Sequence, residues 1–98
     1  MNYALTIRPE AEKDMAEAYR WYEDRRPGLG FDFMHEVDVV FAAIPDHPNS
    51  FQVIYQNVRR ALTKRFPYAI FFVVEKTQLT VIAVFHAKRD PSSWQRRV

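Results

Sequence analysis

The segment from Tyr68 to His86, YAIFFVVEKTQLTVIAVFH, constrains this chain more than any other feature. It reads as two strands joined near Lys76–Thr77, and it is apolar on both faces. Successive side chains of a strand point to opposite faces, so a strand half in water alternates apolar with polar residues. Here Tyr68, Ile70, Phe72 and Val74 point one way, and Ala69, Phe71 and Val73 the other. On the second strand Leu79, Val81, Ala83 and Phe85 are expected on one side, with Ile82 and Val84 opposite. Both faces therefore need cover, and a chain of 98 residues has little mass to supply it.

The first half of the chain provides cover for one face. Tyr3 to Arg8 alternates as a short strand, and Pro9 then fits a first helical position, where its missing N–H leaves nothing unpaired. Glu10 and Glu12 suit the first turn of that helix, whose dipole favours acids. Ala11, Met15, Ala18, Tyr19 and Tyr22 form its buried stripe, and Pro27–Gly28 ends it. A second helix is expected from about Leu29 to Ile44, with Phe33, Val37, Val40 and Ile44 on one face. The turn chemistry of Pro45–Asn49 follows, then a short apolar run at Phe51–Tyr55 and a basic strand at Arg59–Thr63. A polar tail begins at about Ala87. The order predicts one α+β domain over 1–98: an N-terminal strand, an antiparallel helical hairpin, then a three- to four-stranded antiparallel sheet. The helices cover one face. For the other, the candidates are the tail folding back through Trp94, self-association, or a dedicated protein partner.

Charge sharpens the asymmetry. Residues 1–50 carry five Lys/Arg against ten Asp/Glu, and residues 51–98 carry nine against two, balances of −5 and +7 behind a net +2. A basic half can meet phosphate or an acidic partner. With the turn centred on Lys76–Thr77, Tyr68 lies across from His86, and Lys64, Arg65, Lys88 and Arg89 fall at the same open end of the hairpin. A phenol, an imidazole and several cations together can bind, and potentially cleave, a phosphodiester. His86, Arg89 and Arg65 are the candidate catalytic residues, and Arg59, Arg60, Lys64 and Lys88 the candidate phosphate- or target-binding ones. The chain has no cysteine, no metal-ligand spacing and no Gly-rich phosphate loop, so neither metal nor cofactor is expected. No apolar run reaches the roughly 20 residues that span a bilayer, and the first residues lack a signal peptide's apolar stretch. A cytoplasmic protein without membrane contact is expected.

These residues together resemble the RelE/ParE superfamily of toxins from bacterial type II toxin–antitoxin systems. The resemblance runs over nearly the whole length: Arg8-Pro9 with its acidic helix start (RPEAEKD), the late aromatics Tyr19, Trp21 and Tyr22, and the DHP turn at Asp46–Pro48. It continues through the basic strand around Arg59–Arg60, the RFPYAIFFVV strand and the VIAVFHAKRDP ending. It implies a cytoplasmic toxin neutralised by a cognate antitoxin on its sheet and basic surface, with Phe71, Phe72, Val73 and Val74 as the implied contact residues and homodimers or toxin–antitoxin hetero-oligomers as possible assemblies. RelE-like members cut mRNA on the ribosome, whereas ParE-like members inhibit DNA gyrase. Where the nucleases commonly carry an arginine after the strand aromatic, this chain has Ala69; where they often carry a late tyrosine it has Trp94, whose indole N–H only donates. These departures favour a ParE-like, non-hydrolytic action on gyrase. The alternatives are a RelE-like mRNA endonuclease and an inactive member that acts only within a repressor complex.

Overall fold

The computed structural model describes residues 3–98; the first two residues of the expected 1–98 unit lie outside the described residues. Strand β1 (Ala4–Ile7) is followed by helices α1 (Pro9–Arg25) and α2 (Leu29–Ala43). After two short 3-10 turns come β2 (Val53–Tyr55), β3 (Val58–Leu62), β4 (Tyr68–Glu75) and β5 (Gln78–His86), and a four-residue helix, α3 (Ser92–Gln95). The strands form one sheet in the order β1-β5-β4-β3-β2. The last four are antiparallel, as expected, and β1 joins parallel to β5.

Local chemistry sets the helix ends. Pro9 opens α1, with Glu10 and Glu12 in its first turn. Gly28 has φ +90°, a left-handed conformation that suits glycine, and places the chain for α2. The Glu23 carboxylate on α1 then accepts hydrogen bonds from the N–H groups of Gly28 (2.8 Å) and Gly30 (2.9 Å), so one helix caps the start of the next. The crossing is tight: a Cβ on Gly30 would lie 2.8 Å from the Tyr19 carbonyl oxygen. Helix α2 ends at Ala43, one residue before the expected boundary, because Ile44-Pro45 passes into a 3-10 turn.

The long hairpin pairs Tyr68 with His86 and turns at Lys76–Thr77, as its sequence predicts. Its register changes once. Phe71 pairs with Ala83 but Phe72 with Val81, so Ile82 is an extra residue bulged into β5. This corrects the expected alternation on β5. Leu79, Val81 and Val84 lie on the helix side with Ile70 and Phe72. Ile82, Ala83 and Phe85 join Ala69, Phe71 and Val73 on the other side. A single inserted residue reverses the faces beyond it, because the period of a strand is two.

Two apolar layers result. Under the helices, Ala11, Met15, Ala18, Tyr22, Phe33 and Val37 pack on Ile70, Phe72, Val81 and Val84. On the opposite face the tail does what one of the three candidates required. Trp94 is buried, stacked on Phe71 at 4.4 Å between ring centroids and 18° between planes, with Tyr55 edge-on at 5.8 Å. The face expected to stand open for a partner is therefore closed within the chain. Phe71, Phe72 and Val73 are buried and offer no free contact surface, whereas Val74 is half-buried.

Candidate binding site at the open end of the hairpin

Where β4 begins and β5 ends, a cleft of about 430 Å³ opens between α1 and the hairpin. Helix α1 presents Asp14, Glu17, Ala18, Trp21 and Tyr22 to it, and the hairpin presents Tyr68, Val84, Phe85 and His86, with Arg89 at the rim. The floor is aromatic because Tyr22 ends the buried stripe of α1 and Trp21 stands beside it. Tyr22 is buried against Phe33, Phe66 and Tyr68, while Trp21 is half exposed at 51% and stacks under the Arg25 guanidinium, 4.0 Å from the ring centroid. A cleft with apolar walls and a few convergent polar groups is the usual form of a binding site.

The polar groups have defined states. The Tyr68 and His86 rings meet edge-on at 5.6 Å. His86 Nδ1 accepts the Lys88 backbone N–H at 3.1 Å, which leaves Nε2 to carry the proton of the neutral ring. Burial pushes the Tyr68 phenol above its usual 10.0, with the Arg89 charge opposing and Asp14 reinforcing the shift. Burial, reinforced by Tyr68, raises Tyr22 in the same way. At neutral pH both phenols are donors, not bases. The Arg89 guanidinium lies over the Phe85 ring at 4.1 Å, and Arg97 lies over the same ring at 4.6 Å.

Asp14 is the least expected member. Its carboxylate is only 7% exposed and receives two hydrogen bonds from Arg97, at 2.7 and 3.1 Å. It also accepts the Val84 N–H at 3.1 Å. Its charge is thus spent inside the protein.

The predicted cationic cluster is divided. Arg89 reaches the cleft beside Tyr68 and His86. Arg65 is held toward α2 instead, where its backbone N–H donates to the Glu36 carboxylate at 3.1 Å and its guanidinium faces Asp32 at 3.6 Å. Lys64 lines an adjoining hollow together with Arg65, Pro67, Tyr68 and Ala87, of which Pro67 and Tyr68 also line the cleft. Arg59 clips the chain before β2, donating to the carbonyls of Asn49 (3.1 Å) and Phe51 (2.6 Å). Lys88 is exposed, and Arg60 sits in mid-strand opposite Phe71. Among the described residues, no group of three or more His, Asp and Glu is placed to hold a metal ion. None of their helices is long and apolar enough to cross a membrane.

The family model for the ParE toxin of type II toxin-antitoxin system, parDE, matches residues 5–91. The chain belongs to the ParE toxin family. Its curated relatives include the proteins named Toxin ParE2 in two Mycobacterium tuberculosis strains, CDC 1551 / Oshkosh and ATCC 25618 / H37Rv. Each is 25% identical over 100 residues, spanning 100% of this chain and 94% of the relative. Among solved structures, a chain of the chromosomal ParDE TA system from P. aeruginosa superposes with a TM-score of 0.77 at 15% identity, covering 86% of this chain and 95% of that one. That likeness bears on the fold, which it shares.

Within this ParE-family fold the two departures noted from sequence have definite places. Ala69 is fully buried on the tail side of β4, facing away from the cleft, and Trp94 is the anchor of the second apolar layer. Sequence reading missed Asp14, Glu17, Trp21 and Arg97 as neighbours of this site. Asp14 carried a signal, since it falls within the apolar spacing of α1 between Ala11 and Ala18. Arg97 carried none, because its partner Asp14 lies 83 positions away and no local pattern links the two.

Proposed function

We propose that this ParE-family toxin acts by binding its target, DNA gyrase, without hydrolysing a bond, and that a cognate antitoxin of the same type II system holds it inactive. The observation that carries this reading is the state of the open end. Most of the cations that phosphodiester cleavage would gather there are drawn off: the Arg65 guanidinium toward Asp32, Arg59 into a loop clip, and Lys64 into an adjoining hollow that shares only Pro67 and Tyr68 with the cleft. The position after Tyr68 is the buried methyl of Ala69, which offers no donor to a charged transition state. What remains is an aromatic cleft with Arg89 and His86 at its rim, suited to contact more than to proton transfer. The exposed cations Lys64, Lys88 and Arg89 give an acidic antitoxin segment its charge complement.

A supercoiling assay with purified gyrase tests this. Micromolar toxin is expected to block supercoiling, and added antitoxin to restore it. Unchanged supercoiling together with cleaved mRNA in a translation extract would overturn it. The second reading, an mRNA endonuclease, draws on one observation, the meeting of Tyr68, His86 and Arg89 in a single cleft. It requires that His86→Ala abolish growth arrest in a protein that still folds.

A further inference from the structure

Strand β1 covers β5 only from Gln78 to Val81. The Arg8 N–H closes the last of that edge on the Val81 carbonyl at 3.0 Å, and the chain then leaves for α1. Beyond that point the bulged stretch Ile82–Val84 has an outer edge with no strand beside it, and its backbone polar groups need partners. They receive them from side chains. Asp14 accepts the Val84 N–H (3.1 Å), and Arg97 donates to the Ile82 carbonyl (2.9 Å). The two side chains are themselves joined by a bidentate pair, at 2.7 and 3.1 Å. Arg8 Nη1 in turn donates to the Arg97 carbonyl at 3.0 Å. An ion pair therefore stands in for the missing strand, and one half of it belongs to the C-terminal tail.

The rest of the tail is held lightly. From Asp90 onward its backbone N–H groups bond within the tail itself: Ser93 to Asp90, Trp94 and Gln95 to Pro91, Arg96 to Ser92, Arg97 to Trp94 and Val98 to Gln95. Within α3 only Trp94 is buried. The tail, otherwise complete on its own, is fixed at two residues: Trp94, whose ring lies on Phe71, and Arg97, whose guanidinium meets Asp14 and β5 and whose carbonyl accepts from Arg8.

We propose that residues 90–98 are a latch that opens as a unit, with Arg97 as its key. Opening withdraws Trp94 from Phe71 and Tyr55, so the second apolar face becomes available while the helix-side layer stays folded. The same event removes Arg97 from the bulge's edge, leaving Asp14 alone there, and takes away one of the two guanidiniums over Phe85, a wall of the cleft. Accessibility of the second face and the shape of the cleft are set by one contact. The latch is independent of which target the toxin binds.

Native-state hydrogen exchange on the full chain tests it. The Trp94 amide lies in the tail, and the Val84 amide is held by Asp14, which loses its Arg97 partner when the tail leaves; both are expected to exchange through one shared opening, about tenfold or more faster than Phe72 on the helix-side layer. Arg97→Gln is expected to accelerate both together and leave Phe72 unchanged. Arg97→Lys should restore little, because an ammonium cannot reproduce the fork that meets Asp14 and Ile82 at once. In a Trp21→Phe background, iodide quenching reads Trp94 alone, and it should rise several-fold in the Arg97→Gln variant. If Trp94 and Val84 exchange with Phe72, or independently of each other, the latch is overturned; unchanged quenching in Arg97→Gln overturns it equally. Should that substitution unfold the chain, the exchange pattern of the unmodified protein decides.

Discussion

The two faces of this sheet are both dry, but they are kept dry by very different amounts of protein. On one side lie two helices of 17 and 15 residues, with an aromatic cluster in which Tyr22, Phe33, Phe66 and Tyr68 make mutual ring contacts. On the other lies a four-residue helix with one buried side chain. Area removed from water governs the strength of each cover. Many side chains on two helices make a layer that yields only with the whole fold. A single indole and an ion pair make a cover that can yield by itself. For a toxin kept in check by a partner, a strong face and a weak face differ in use: one maintains the fold, and the other can change state without losing it.

Substitutions that should affect the two faces unequally test this contrast most directly. The largest effect is expected from Phe72→Asp, which places a charge in the fully buried helix-side layer and should abolish the cooperative melt seen by circular dichroism. Phe71→Asp should keep its helical signal and a cooperative melt, because the tail can lift away from the charge; equal collapse of both variants would erase the distinction. Next is Asp14→Ala, which leaves Arg97 without its counter-charge and the Val84 N–H without its acceptor and should cost about 3–5 kcal/mol in urea unfolding. Gly30→Ala sharpens the helix side alone. Its Cβ would press the Tyr19 carbonyl, and a loss of roughly 1–3 kcal/mol is expected, without any change in Trp94 quenching.

The smallest effect is in alkaline solution. Tyr22 and Tyr68 titrate above 10.0 when folded, chiefly through burial, so the unfolded chain gives up those protons first. Their contribution is complete below pH 10 and is lost as the pH rises beyond it toward the folded values. Urea midpoints measured below and above pH 10 should fall less steeply for Tyr68→Phe than for the parent. Equal slopes would show that the cleft phenol is not held in its neutral form.

Much of the fold was legible in the residues. The strand at Tyr3–Arg8, the helix opened by Pro9, the turn at Lys76–Thr77 and the pairing of Tyr68 with His86 each rest on local chemistry or on the symmetry of a hairpin. Tyr68 and His86 were placed together correctly, and Arg89 with them. Arg65 departs from the expected cluster because α2, far away in sequence, holds it twice: the Glu36 carboxylate accepts its backbone N–H, and its guanidinium follows Asp32. The faces of β5 were misassigned beyond Ile82 for a different reason. A bulge leaves no mark in an uninterrupted run of Val, Ile, Ala and Phe, where every residue is acceptable on either side.

By itself the sequence determined that both faces of the long hairpin must be buried, that helices would cover one of them, and that acids and bases would fall in separate halves. These follow from side-chain period, from propensity and from composition, all of which act over a few residues. Only the tertiary structure decided what covers the second face and what becomes of the charges. Trp94 reaches Phe71, and Arg97 reaches Asp14 across 83 positions of chain. Such contacts depend on where the folded backbone brings two distant residues, and no local pattern records that. The doubly apolar hairpin stated the requirement, and the last residues of the chain meet it.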